Sequence, residues 1–199
     1  MNNALTVVYA IIALLEITAE FFNGAEVLTG GEASINYQLL RFATKPLLMP
    51  ILIALFVSST SKLFNLRNLL IVAFFFSWVG DVALMFVFKN ENFFLAGLVG
   101  FLITHILYIV AFAKISGNKI GFLKRFPWVA IPLLLYFSIL IVWIFPNVPS
   151  EMKIPVVVYS LTIAIMVLSA MNNFSNVPKK VFANTFIGAL LFMISDSII

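Results

Sequence analysis

The sequence predicts an all-α fold, a polytopic bundle of transmembrane helices, and three observations carry that reading. Hydrophobic residues make up 63% of the 199 and charged residues only 10%, far below the charged share of about 25% that covers a soluble globule. The apolar residues gather in runs close to the roughly 20 residues that a helix needs to cross a hydrocarbon core. The basic residues fall mostly in every second loop, the bias that sets membrane orientation.

Seven segments meet or approach spanning length, at about 4–22, 38–58, 68–88, 92–113, 128–146, 153–171 and 182–199. The first lacks a basic lead and carries Glu16 and Glu20, so it reads as a retained span rather than a cleaved signal peptide. The second presents Gln38, Arg41 and Lys45 at helical spacing down one face. It also holds Pro46 and Pro50, which free backbone carbonyls and are expected to kink the helix near Lys45. The third contains Asp81. The fourth opens with Ala96, Gly97 and Gly100, small residues that permit close helix contact, and places His105 and Tyr108 one turn apart. The fifth and sixth follow, and the seventh contains Asp196 and ends on Ser197-Ile198-Ile199. A terminus in mid-hydrocarbon leaves a carboxylate and several carbonyls unsatisfied, so an eighth span is expected past Ile199. With no internal repeat and no long extramembrane segment, residues 1–199 read as a single transmembrane helical domain.

The loops around 59–67, 114–127 and 172–181 hold Lys62, Arg67, Lys114, Lys119, Lys124, Arg125, Lys179 and Lys180, against Arg41, Lys89 and Lys153 on the other side. Eight against three places the amino terminus in the cytoplasm. The expected location is integral and multi-pass, in the cytoplasmic membrane if the source is bacterial. The net charge of +4 comes from scattered loop residues, not from the basic stripe of a nucleic-acid binder. Cysteine is absent, which excludes disulfides, thiolate catalysis and cysteine-based metal sites. One histidine cannot build a multi-histidine zinc site. No metal and no cofactor are expected.

Ionisable residues inside spans direct the functional reading, because such groups are expensive in hydrocarbon and functional by default. At about 1.5 Å per residue, Glu16, Lys45, Asp81 and, with a helix of normal length, Asp196 fall roughly 10 Å below the same membrane edge. Each charge costs about 2.5–3.5 kcal/mol at a helix centre, so together they threaten a total comparable to an ordinary folding stability. They must pair, protonate or meet water. Glu16, Glu20, Asp81 and Asp196 outnumber Arg41 and Lys45, and that surplus favours a polar cavity where one carboxyl stays protonated as general acid beside an ionised general base. Interhelical pairing is the competing reading. The Gln38, Arg41 and Lys45 face fits a phosphate or balances the carboxylates. His105 fits a hydrogen-bonded core position or a catalytic one. Glu16 and Glu20 fit charge partners of Lys45, an interfacial cap, or site residues.

Four ordered motifs carry a family resemblance: Lys45-Pro46-Leu47-Leu48-Met49-Pro50; Gly80-Asp81 within a long apolar run; Gly97 to Tyr108, with His105; and Gly188 to Ser197, with Asp196. Together they resemble the YhhN family of integral membrane proteins over residues 45–199, leaving the first span and its glutamates outside. The resemblance implies a bundle of about eight helices, so this sequence lacks the closing helix of the pattern. It also implies a lysoplasmalogenase, which hydrolyses the vinyl ether of a lysoplasmalogen to a fatty aldehyde and glycerophospho-ethanolamine or glycerophosphocholine. It assigns catalysis to Asp81 and Asp196, with Lys45, His105 and Tyr108 as accessory residues. The implied partners are a lysophospholipid substrate and the surrounding membrane lipids.

The chemistry matches the residue inventory. Proton delivery to the β-carbon gives an oxocarbenium ion, water attacks it, and the hemiacetal collapses, for which one acid and one base suffice. Lys45 would bind phosphate or hold one aspartate ionised. Three rivals remain. A proton-coupled transporter of a small molecule or lipid uses the same intramembrane acids, but calls for inverted repeats or broken helices in corresponding halves. A lipid-binding scaffold would tolerate neutral replacement of both aspartates. Metal-dependent amide hydrolysis would want several histidines.

Overall fold

The computed structural model describes residues 3–28, 35–60, 65–117 and 120–197. Lys62 and Lys119 of the basic loops, and the Ile198-Ile199 end of the seventh expected span, lie outside the described residues. The described chain is helical, with no strands: α1 (Asn3–Leu28), α2 (Ile35–Ser59), α3 (Arg67–Leu84), α4 (Asn92–Ser116), the single-turn α5 (Phe122–Arg125), α6 (Ile131–Ile144), α7 (Lys153–Met171) and α8 (Lys179–Asp196). Short 3₁₀ turns at Pro127–Ala130, Phe145–Asn147 and Ser150–Met152 flank α6 and lead into α7.

Among the described residues, six stretches are long and apolar enough to cross a membrane: Ala4–Phe22, Tyr37–Ser59, Arg67–Leu84, Asn92–Ser116, Pro127–Asn147 and Ser150–Met171. They coincide with the first six segments expected from the sequence. The seventh expected segment forms as α8, but Lys179 and Lys180 open that helix and Asp196 closes it, so its charge keeps it apart from the six. The outward faces are strongly apolar, with Ile139, Val142, Trp143 and Ile154 at least two-thirds exposed. Such faces suit lipid and would associate in water.

The fold divides into two compact units, Met1–Phe101 and Leu102–Ile199, with α4 contributing its first part to one and the remainder to the other. In the first unit α1 packs on α2 and α2 on α3. Helix α2 runs without a break through Pro46 and Pro50. Pro50 has no N–H to offer the carbonyl of residue 46, four positions earlier. The indole Nε1 of Trp78 in α3 donates to that Pro46 oxygen at 2.8 Å, so a bond lost within α2 becomes a bond between helices. Helix α4 meets α3 through glycine. A Cβ at Gly100 would come within 3.0 Å of the Gly80 nitrogen and the Phe76 carbonyl oxygen, both backbone atoms, and the Phe101 ring covers Gly80. This contact fixes the backbone one residue before Asp81.

In the second unit α7 packs against α8 and α6. Ile163, Met166, Val167 and Ala170 are buried, at the spacing of one helix face. The ends of α4 and α7 are tied by Asn173. Its Oδ1 accepts from Ser116 Oγ at 2.9 Å, and its Nδ2 donates to the carbonyls of Phe112 and Ser169 at 3.1 Å. Beside it, Asn172 Oδ1 accepts from the Leu123 backbone at 3.1 Å. Gly121 lets that side chain in, because a Cβ there would stand 2.1 Å from the Asn172 Oδ1.

Candidate active site

Each unit holds a cluster of polar side chains among apolar helices. In the first, Glu16 and Glu20 lie one turn apart on α1 and face α2, where Arg41 and Lys45 are also one turn apart. One oxygen of Glu20, Oε1, accepts from Arg41 Nε at 2.8 Å and from Lys45 Nζ at 2.9 Å. Glu16 is buried, its Oε2 bonded to the Thr44 hydroxyl, while its Oε1 has no partner among the described residues. Lys45 and Glu20 are therefore brought together, with Arg41 as a second cation on the same carboxylate. Asp81 belongs to this unit as well, partly buried on α3 immediately after Gly80.

The second unit gathers His105 from α4, Tyr159 from α7 and Asp196 from the end of α8. The Tyr159 hydroxyl donates to Asp196 Oδ2. His105 Nε2 lies 3.4 Å from that hydroxyl and 3.4 Å from Oδ2. The cluster is buried: the His105 side chain is 0% exposed and that of Asp196 6%, and Phe192 lies edge-on to the imidazole with centroids 4.9 Å apart. Next to Asp196, Ser197 Oγ accepts from Tyr136 at 2.9 Å and donates to the Met193 carbonyl at 2.7 Å, which anchors the end of α8 to α6. Tyr108 sits on α4, stacked on Phe112.

Proton counting gives this relay a direction. The Tyr159 hydroxyl has one hydrogen and spends it on Asp196, so toward His105 it accepts, and Nε2 carries the imidazole proton. His105 Nδ1 is buried with no partner among the described residues. In the reverse direction Nδ1 would carry a hydrogen and be an orphaned buried donor, which is costlier than a bare lone pair. The relay runs His105 to Tyr159 to Asp196, and Asp196 terminates it as acceptor.

Tyr159 did not emerge from the sequence reading. Its signal was a phenol in the apolar middle of a span, whose hydroxyl needs a partner where no water is present. Of the sequence candidates, His105 and Asp196 meet in the second unit, Lys45 and Glu20 in the first.

These features define a multi-pass helical membrane protein with hydrogen-bonded ionisable groups among its apolar helices. The comparisons sharpen that class. The chain belongs to the YhhN family, whose model matches residues 40–199 and so takes in Lys45, Asp81, His105, Tyr108, Tyr159 and Asp196. Searches of curated proteins and of solved structures find no match to it.

Proposed function

We propose that this protein is a membrane-embedded lysoplasmalogenase-like hydrolase that cleaves the vinyl ether of lysoplasmalogens by acid and base chemistry at Asp81 and Asp196. Family membership supports the reaction class, since the YhhN family is associated with lysoplasmalogenase. The observation that carries the assignment of roles is the direction of the relay. A carboxylate that accepts from Tyr159, with His105 behind it, is suited to receive a proton from water and to stabilise a neighbouring cation. Asp196 is then the base and Asp81 the acid.

In this mechanism the Asp81 proton adds to the β-carbon of the enol ether. The alkene electron pair forms the new C–H bond, and the ether oxygen shares its lone pair to give an oxocarbenium ion. Water adds to the cationic carbon and yields its proton to Asp196. The resulting hemiacetal transfers its hydroxyl proton to the departing glycerol oxygen, leaving fatty aldehyde and glycerophospho alcohol. One water is consumed, and a proton returned from Asp196 to Asp81 through solvent resets the pair. No metal is required by this sequence of steps.

The test uses purified protein in detergent with a lysoplasmalogen and its saturated alkyl ether analogue, following aldehyde for the wild type, Asp81→Asn and Asp196→Asn. The reading requires aldehyde from the vinyl ether alone and its loss in both variants. Full activity in either variant, with native-like thermal unfolding, would remove that residue from the mechanism.

A further inference from the structure

A cavity of about 330 Å³ opens in the first unit where the early turns of α2 meet the turn leaving α3, lined by Gln38, Arg41, Phe42, Met85 and Phe88. Its α2 side is cationic. Arg41 and Lys45 both bond the carboxylate of Glu20. Arg41 bonds Glu20 through Nε, and its two terminal nitrogens hold no partner among the described residues. The opposite side is aromatic: Phe42 packs against Phe86 and Phe88 with centroids 6.0 and 6.2 Å apart. The Lys89 ammonium lies over the rings of Phe86 and Phe88 at 5.1 and 5.8 Å, adding a second cation at that wall.

A guanidinium fork and a carboxamide one turn away match the oxygens of a phosphate ester. The aromatic and methionine walls match the apolar remainder of an amphiphile. The cavity also bears on Asp81. Met85 follows Asp81 by four residues, and the backbone is still helical there, with φ −66° and ψ −20°. The two therefore share a face one turn apart, about 6 Å along the axis. A glycerol backbone reaches about that far from its phosphate to its sn-1 oxygen.

We propose that this cavity is a head-group subsite, in which Arg41 and Gln38 hold the phosphodiester of a single-chain phospholipid and Phe42, Met85 and Phe88 flank its head group. The phosphate assignment stands on the cavity itself; the alignment of the ether bond with Asp81 rests on the hydrolase reading above.

The experiment measures equilibrium binding to detergent-solubilised full-length protein. The probe is a radiolabelled, saturated sn-1-alkyl lysophosphocholine, which has no vinyl ether to cleave, and the matching alkylglycerol without phosphate is the control. Glycerophosphocholine and inorganic phosphate serve as competitors. Arg41→Gln, which leaves Lys45 on Glu20, weakens binding of the lysophosphocholine on the order of 10-fold to 100-fold, the effect of losing charge-assisted hydrogen bonds, and leaves the alkylglycerol unchanged. Gln38→Leu weakens it several-fold with the same selectivity, and carries the test if Arg41→Gln fails to fold. Equal losses for both lipids, or no loss in either variant, overturn the subsite. Displacement by inorganic phosphate as effective as by glycerophosphocholine overturns its assignment to a lipid. If selective loss occurs in a protein that releases no aldehyde from lysoplasmalogen, the subsite stands and the hydrolase reading falls. If aldehyde is released and Arg41→Gln binds as the wild type does, the subsite alone falls.

Discussion

Tyr159→Phe removes one oxygen from the relay and keeps the ring that packs on His105, 5.6 Å between centroids. A hydrogen bond to a charged group contributes about 1.5–3 kcal/mol. Here the loss falls near the lower limit, because His105 Nε2 already lies 3.4 Å from Asp196 Oδ2 and a small ring rotation lets it donate directly. A cost of about 1.5 kcal/mol corresponds to roughly a 10-fold fall in kcat, with KM little changed if the relay serves the transition state and not substrate binding. That partial rescue makes a second prediction within the same cycle. His105→Leu has a modest effect alone, since Tyr159 still donates, and a much larger one combined with Tyr159→Phe, since Asp196 then keeps neither donor. Steady-state aldehyde release gives the four rates. Infrared difference spectra between wild type and Asp196→Asn supply a readout independent of turnover: the substitution removes a carboxylate band. Unchanged kcat in Tyr159→Phe, strictly additive losses, or disappearance of a carboxylic-acid band instead would refute the direction assigned to the relay.

Gly100→Ala pushes a Cβ to 3.0 Å from the Gly80 nitrogen and the Phe76 oxygen; because neither atom belongs to a flexible side chain, α4 must shift, at about 1–3 kcal/mol. Since Asp81 adjoins Gly80, activity falls at least about 10-fold, whereas Ala96→Leu at the exposed neighbouring position leaves both activity and thermal unfolding unchanged. Trp78→Phe strands the Pro46 carbonyl and costs about 1–3 kcal/mol, seen as a lower unfolding midpoint in detergent; an unchanged midpoint would mean that this oxygen finds another donor. Glu20→Gln leaves Arg41 and Lys45 without their carboxylate and lowers stability by about 1 kcal/mol, a modest figure because the pair is partly exposed. Lys45→Met costs less, because Arg41 stays on Glu20, and the two are compared in one denaturant series.

Fold class and the first six spans were legible because apolar runs of spanning length leave the backbone one solution in hydrocarbon. Helix α8 was legible as an apolar run, but Lys179 and Lys180 at its start set it apart from the six helices apolar enough to span. The acids and Lys45 were legible by the same reasoning in reverse, since a charge among apolar residues is conspicuous. Their partners were not. One-turn spacing shows that Glu16 and Glu20 share a face, but only packing of α1 on α2 shows that Glu20 takes both Arg41 and Lys45. His105 read slightly more as a buried core residue than as a catalytic one, because pairing with Asp196 across 91 positions of sequence has no local signature. Tyr159 was hidden for the opposite reason: a tyrosine among valines reads as ordinary packing until its hydroxyl is found on Asp196. Trp78 likewise became meaningful only through a carbonyl that Pro50, on another helix, had set free.

The most direct test of the central claim is hydrolysis of a lysoplasmalogen in D₂O, with the aldehyde trapped as it forms and weighed by mass spectrometry. Protonation of the β-carbon by a solvent-exchanged carboxylic acid places one deuterium on the carbon next to the aldehyde, above the level found when authentic aldehyde is added to the same mixture. An aldehyde carrying one deuterium in the wild type and no product from Asp81→Asn is the predicted result. Aldehyde without that label would contradict protonation at carbon, and no aldehyde from folded protein would contradict the hydrolase itself.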